Sequence, residues 1–167
     1  MSVDQPSSVA AATEKLRAQT SVAGLLGATA RAFVELLDAT ACTISRVIGD
    51  LLVDLIQHRE AAGARPDRLG HGYLISDYPL TREVIEEREP RSVYIEDPHA
   101  DAAEVALLRE LGFDSLLMLP LEAEGGAWGL IEVYRDKGRR FDDEDVVLAR
   151  ELVREVGGLL TALNRAA

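Results

Sequence analysis

Apolar residues fall into two periodicities along the chain, and each change of period marks a change of element. From Val9 to Leu37 they recur at alternating steps of three and four. Val9, Ala12, Leu16, Gln19, Ala23, Leu26, Ala30, Phe33 and Leu37 form a heptad seam in which Gln19 is the polar member. The seam predicts one long helix, longer than a small sheet needs. Ala23 to Leu37 is assigned to the domain's own core, and Val9 to Gln19 to pairing with a second copy. Residues 1–7, polar and containing Pro6, read as a frayed tail.

The period then shortens to two. "TACTISRVI" and "LLVDLIQHRE", joined by Gly49-Asp50, predict a hairpin. "AAGARPDRLGHG" reads as a loop and "GYLISDY" as short and partly extended. "PLTREVIEERE" opens on a proline suited to a first helical turn, with Val84 and Ile85 pointing inward. "PRSVYIED" predicts a short strand, and "ADAAEVALLRELG" a helix closed by Gly112 in the left-handed conformation. "DSLLMLPLE" and "AWGLIEVYR" predict strands around a Gly125-Gly126 turn. Residues 142–165 predict a last helix capped by Asp142, with Ala149, Leu152, Val156, Leu159 and Leu163 as its apolar stripe. Gly157-Gly158 inside it weakens the helix by about 1 kcal/mol per glycine, so close approach of another element is expected there.

Helix, hairpin, mixed middle, hairpin, helix resolves as an α+β fold: a central antiparallel sheet, both terminal helices on one face, and segment 61–112 over the other. The expected organisation is a tail and helical extension over residues 1–20 and a single domain over 21–167. Strand alternation puts Ala127, Gly129, Ile131 and Val133 toward the terminal helices, and Leu130, Glu132 and Tyr134 toward the other face. Glu132 is then expected to pair with an arginine, Arg46 being the candidate.

Charge narrows the partners. With 29 acidic against 18 basic residues the net charge is −11, and no basic patch offsets it. Such a chain repels phosphate backbones, so neither nucleic acid nor an anionic membrane is an expected partner. The N-terminus has neither the basic region nor the apolar core of a signal peptide, and no apolar run approaches a membrane span. A cytoplasmic location is expected.

"FVELLDATACTISRVI", "YPLTREVIEEREPRSVYIEDPHAD", "LLRELGFDSLLMLPLEAEGGAWGLIEVY" and "RRFDDEDVVLARELVREVGGLL" together resemble the GAF domain family, sensory modules of bacterial signalling proteins and of cyclic-nucleotide phosphodiesterases. The resemblance covers about residues 22 to 163. It implies the same sheet-and-helices fold, with a small-molecule pocket on the face away from the terminal helices. The polar and aromatic residues it brings toward that pocket are Tyr73, Tyr78, Tyr94, Asp97, His99, Arg109, Ser115 and Glu132. The resemblance also makes a ligand the alternative partner of Glu132, with Tyr94 and Ser115 as that residue's expected neighbours. For Arg109 a surface ion pair with Glu104 or Asp114 is the competing reading.

Several chemistries within or near this family are disfavoured by the residues. Free methionine sulfoxide reduction needs a nucleophilic and normally a resolving cysteine; Cys42 is alone, in a strand where a small buried residue is expected. Covalent bilin attachment needs a cysteine in the middle segment, where "YIEDPHADAAEV" has His99 and no cysteine. His58, His71 and His99 lack metal-ligand spacing and read as surface or loop residues rather than haem ligands. The cyclic-nucleotide motif is broken, with Tyr134-Arg135 at the place of Asn-Lys and Val146 at that of the Glu, although Phe141 and Asp145 keep their spacing. No serine–histidine–acid set, phosphate-cradling loop or catalytic carboxylate pair is evident. The expectation is a non-enzymatic sensory module without metal or cofactor, a homodimer that binds a small molecule of unknown identity and signals through its terminal helices to a separate effector. A ligand-free dimerisation module is the alternative, and a Cys42 redox enzyme a third.

Overall fold

A computed structural model describes residues 5–60, 72–136 and 138–167. Residues 1–4 of the expected frayed start, the 61–71 loop and His71 lie outside the described residues, and residues 5–7, expected to be frayed, open the first helix. The helices are α1 (Gln5–Arg17), α2 (Val22–Leu36), α3 (Pro79–Glu87), α4 (Ala102–Leu111) and α5 (Asp143–Ala166). The strands are β1 (Ala41–Ile48), β2 (Leu51–Arg59), β3 (Gly72–Leu74), β4 (Arg91–Tyr94), β5 (Ser115–Ala123) and β6 (Gly126–Arg135). A short 3-10 turn, Ile75–Asp77, follows β3. The strands form one antiparallel sheet in the order β3-β2-β1-β6-β5-β4.

The terminal helices cover one face. Phe33 and Leu37 from α2 and its cap, and Leu152, Val156 and Leu160 from α5, pack on Cys42, Ile44, Leu117, Leu119, Ile131 and Val133. The other face holds a second cluster, in which Val84 of α3 and Leu108 of α4 meet Leu116, Met118, Leu130 and Tyr134. Three of the helices are started by side-chain caps of their own. Ser21 and Asp101 accept the N–H groups of Gly24 and Glu104, and Asp142 and Asp145 cap one another reciprocally. These backbone hydrogen bonds hold the exposed Asp142 carboxyl below its usual range.

The N-terminal seam is corrected by the structure. It is two helices rather than one, because the chain leaves α1 at Ala18 and restarts α2 at the Ser21 cap, where the hydroxyl competes for backbone donors. α1 folds back: Leu16 is buried in the helix-side core, and Arg17 pairs with Glu155 of α5 at 2.7 Å.

The β5–β6 turn is also displaced by one residue. Glu124 and Gly125 are its centre, with φ of 56° and 78°, the two left-handed residues a tight hairpin favours. Gly157 has the reason expected of it, since a Cβ there would collide with the Glu122 carbonyl. Gly158 meets nothing within 4 Å, and the structure gives no packing reason for it.

Two strand irregularities decide which side chains share a face. In β2, Ile44 pairs with Ile56 but Ser45 with Asp54, so Leu55 is an extra residue. In β6, Leu121 pairs with Gly129 but Glu122 with Ala127, so Trp128 is extra and packs toward the helix-side core. The second bulge reverses Ala127, which shares a face with Glu122 and not with Ile131. The expectations for Ile131, Val133, Leu130, Glu132 and Tyr134 agree with the structure.

Candidate functional site

Beneath α3 and α4, on the sheet face away from the terminal helices, lies a cavity of about 290 Å³. Its floor is Thr43 of β1, Leu52, Asp54, Gln57 and Arg59 of β2, and Glu132 and Tyr134 of β6. Its walls come from Tyr73 to Ile75, Tyr78, Thr81, the inner side of α4 and Phe113. The Leu55 bulge is what builds the β2 side. It switches the alternation, so Leu52 and Asp54 before it and Gln57 and Arg59 after it all line the cavity.

Three carboxylates are buried here: Asp54, Glu104 and Glu132. Asp54 accepts the Ser45 hydroxyl at 2.7 Å. Glu104 accepts the Thr81 hydroxyl at 2.6 Å, linking the first turns of α4 and α3. Glu132 takes the Tyr134 hydroxyl on Oε2 at 2.9 Å. Burial, together with the neighbouring charges of Glu104 and Asp54, pushes the Glu132 carboxyl up to about 8. Glu104 is raised in the same direction, again mainly by burial. Tyr134 lies well above the usual phenol range, since its burial and its bond to Glu132 both favour the protonated form.

Aromatic rings frame these acids. Phe113 stacks on Tyr134 with centroids 4.8 Å apart, and Tyr73 meets Tyr78 edge-on at 6.3 Å. Arg59, which also lines the cavity, places its guanidinium over Phe113 at 5.1 Å. Arg46, the expected partner of Glu132, is elsewhere. It donates to the carbonyls of Trp128 and Val47 and lies over the Trp128 ring, because the bulge brings that ring beside it.

Of the residues singled out in the sequence, Tyr73, Tyr78 and Glu132 line the cavity. Tyr94, Asp97, His99, Arg109 and Ser115 are not among its lining residues. Tyr94 and Ser115 are paired at the start of β5 and are held by the β6–α5 connection, the Tyr94 hydroxyl at 3.4 Å from the Gly138 carbonyl and the Ser115 hydroxyl donating to the Arg139 carbonyl. They do not neighbour Glu132, whose β5 partner is Met118. Asp97 closes a local turn on the His99 N–H, and His99 is exposed. Arg109 is exposed on α4; Glu104 bonds Thr81 instead, and Asp114 accepts the Gly138 N–H.

Glu104, Asp54 and Thr81 were missed. For Glu104 the signal was present, since it precedes Leu108 and Leu111 at helical steps of four and three and so begins the inward stripe of α4. Thr81 likewise precedes the buried Val84 by three. Asp54 was hidden by the bulge.

Cys42 is fully buried on the opposite face, and burial raises its thiol strongly. It points away from the cavity and cannot anchor a molecule held there. Among the described residues no cluster of His, Cys, Asp or Glu has the geometry to hold a metal ion, and no helix is long and apolar enough to cross a membrane.

The GAF domain model matches residues 22–160, from the start of α2 to the end of the α5 core stripe. The chain belongs to the GAF domain family. Solved structures agree at the level of fold. The phycoerythrobilin-bound GAF domain of a cyanobacterial phytochrome superposes with a TM-score of 0.81 at 17% identity, covering 99% of both chains. A bacteriophytochrome of the photosynthetic bacterium R. palustris gives 0.85 at 12% identity, over 99% of this chain and 39% of that one. The photosensory core module of Stigmatella aurantiaca phytochrome gives 0.80 at 19% identity, over 95% and 36%. This chain therefore spans little more than a third of either of those longer phytochrome chains. No curated protein matches the sequence.

Proposed function

We propose that this GAF domain is a non-enzymatic sensory module that binds a small molecule in the cavity under α3 and α4 and transmits its occupancy to the terminal helices. The observation that carries this reading is the cavity itself, a partly enclosed space floored by buried polar side chains in a sheet whose other face is solidly packed. Strand β6 supports the second half, because Glu132 faces the cavity while Ile131 and Val133 on either side pack under α2 and α5. A shift of β6 is thus felt by both terminal helices. Phytochrome GAF domains that hold bilins share the fold, which supports a small-molecule role. The position of Cys42 argues against a thioether-linked pigment.

Mass spectrometry of molecules released on denaturation, combined with melting of the protein before and after their removal, tests the reading. A ligand that binds the native state raises the melting temperature. Release of a defined compound that restores the melting temperature is expected; a protein indifferent to every released compound contradicts it. We also read the module as a homodimer joined through the outer sides of α1 and α2, where Ala11, Ala12, Ala28 and Ala32 line a groove. Light scattering at micromolar concentration is expected to give twice the 18.2 kDa chain mass.

A further inference from the structure

The geometry points to an organic cation as the molecule this cavity takes, its charged head held between the Glu132 and Glu104 carboxylates and its body laid against Tyr73, Tyr78 and Phe113. This rests on the reading of the cavity as a small-molecule site.

The decisive feature is an acid left without a basic partner. Glu132 is 9% exposed, and Tyr134 satisfies one oxygen only. Its Oε1 has no donor among the described residues and faces the cavity. Glu104 is 1% exposed, and Thr81 bonds its Oε1, leaving Oε2 in the same condition. Both donors are neutral hydroxyls. A buried carboxylate needs a charge partner or a proton, and among the described residues neither an arginine nor a lysine pairs with either group.

The charges that bear on Glu132 are named by position: Asp54 from β2 and Glu104 from α4, both acidic, with Tyr134 on its own strand. Arg59 lines the same space, but its guanidinium lies over the Phe113 face and, among the described residues, pairs with neither Glu132 nor Glu104. The carboxylates do not converge on one point as metal ligands do, so an extended organic cation suits them better than a bare ion. Amidinium, guanidinium and protonated ring nitrogens present donors to two separated acids, and aromatic walls attract such cations.

In the free protein near neutral pH, Glu132 carries a proton. A cation entering the cavity displaces that proton to buffer, and the carboxylate that remains accepts the cation's N–H groups. Binding is therefore coupled to proton release, a signature that neutral and anionic ligands lack.

Benzamidine, agmatine and benzoate serve as probes on the full chain. Thermal melting and calorimetry at pH 7, in two buffers of different ionisation enthalpy, should show a cationic probe binding, benzoate not binding, and close to one proton released per probe. Glu132→Gln should weaken the cationic probe about tenfold or more and abolish the proton release. Glu104→Gln, a second variant that keeps the Thr81 contact, should weaken binding without abolishing the release. Equal response to benzoate, no response to either cation at millimolar concentration, or binding indifferent to Glu132→Gln would each overturn the inference. A neutral or acidic compound recovered from the native protein would overturn it as well and leave the small-molecule reading standing. Failure of every probe with no compound recovered would remove both.

Discussion

Glu132 and Arg135 lie three positions apart on β6, both buried, and the chain treats them in opposite ways. The Arg135 guanidinium faces the terminal helices, and every side of it is occupied. It pairs with both oxygens of Asp145 at 3.0 and 3.2 Å, donates to the Arg140 carbonyl at 2.7 Å and to the Leu37 carbonyl at 3.2 Å, and lies 4.1 Å over the Phe141 ring. One side chain thereby ties the end of β6 to the C-terminus of α2 and the N-terminus of α5. Glu132 faces the cavity and has one neutral hydroxyl. A buried charge that is fully paired holds structure together, whereas one left incomplete is held in reserve for a proton or a ligand.

The contrast is most exposed to test at Arg135. Arg135→Met should strip Asp145 of its charged partner, leaving it the Asp142 N–H alone, remove a donor from two carbonyls, and lower stability by about 3–5 kcal/mol, the usual effect of removing one partner of a buried pair. For a chain of this size the melting temperature should fall by roughly 10 °C. Lysine at the same position should recover only part of this, because it lacks the planar fork. A loss below about 1 kcal/mol would end the contrast.

Glu132 should give the second largest effect, and its sign is opposite to that of an ordinary salt-bridged acid. Its folded-state value of about 8 lies above the usual carboxylate value in the unfolded chain. Between those two values the folded state holds the extra proton. Stability is therefore full at low pH and falls as the pH rises through 8, by a few kcal/mol in total. Urea titrations from pH 5 to 9 should show this decline, and Glu132→Gln should remove most of it. A decline unchanged in the variant would place its origin elsewhere.

Thr81→Val should act more weakly. It removes the donor to Glu104 without changing shape, and about 1 kcal/mol is expected from chemical denaturation. Cys42→Ala should be of similar size or smaller, a packing loss on the other sheet face. It should leave the pH dependence of stability in place. A Cys42 variant that flattened that dependence would show that the two faces are not separate.

The sequence was most legible where periodicity is long and unbroken. α5, with its acidic first turn, and the Gly112 cap of α4 are found where the pattern put them, although the stripe of α5 buries Leu160 fully and Leu159 and Leu163 only in part. So is the face of Glu132, because alternation from Gly129 to Tyr134 is uninterrupted. Legibility failed where one residue changes the phase. The extra Leu55 brings Asp54 into the cavity, and the extra Trp128 takes Ala127 off the helix face and gives Arg46 a ring to lie on. A bulge is a choice of hydrogen-bond register between strands, and neither strand records it alone. The heptad seam failed for a related reason. Its period runs through residues 18–21, but α1 stops at Arg17 and Ser21 caps the start of a new helix. Tyr94 and Ser115 were given the wrong neighbours, since the β6–α5 connection that receives their hydroxyls has no periodicity to read.

The most direct test of a Glu132 that has one neutral donor and no basic partner among the described residues is its own titration. Carbon-detected NMR of the glutamate side-chain carboxyls, with the resonance assigned by its loss in Glu132→Gln, should give a midpoint near 8 in the free protein. A midpoint in the ordinary carboxylate range, about 4 to 5, would mean that the group is solvated or already paired, and would contradict the account.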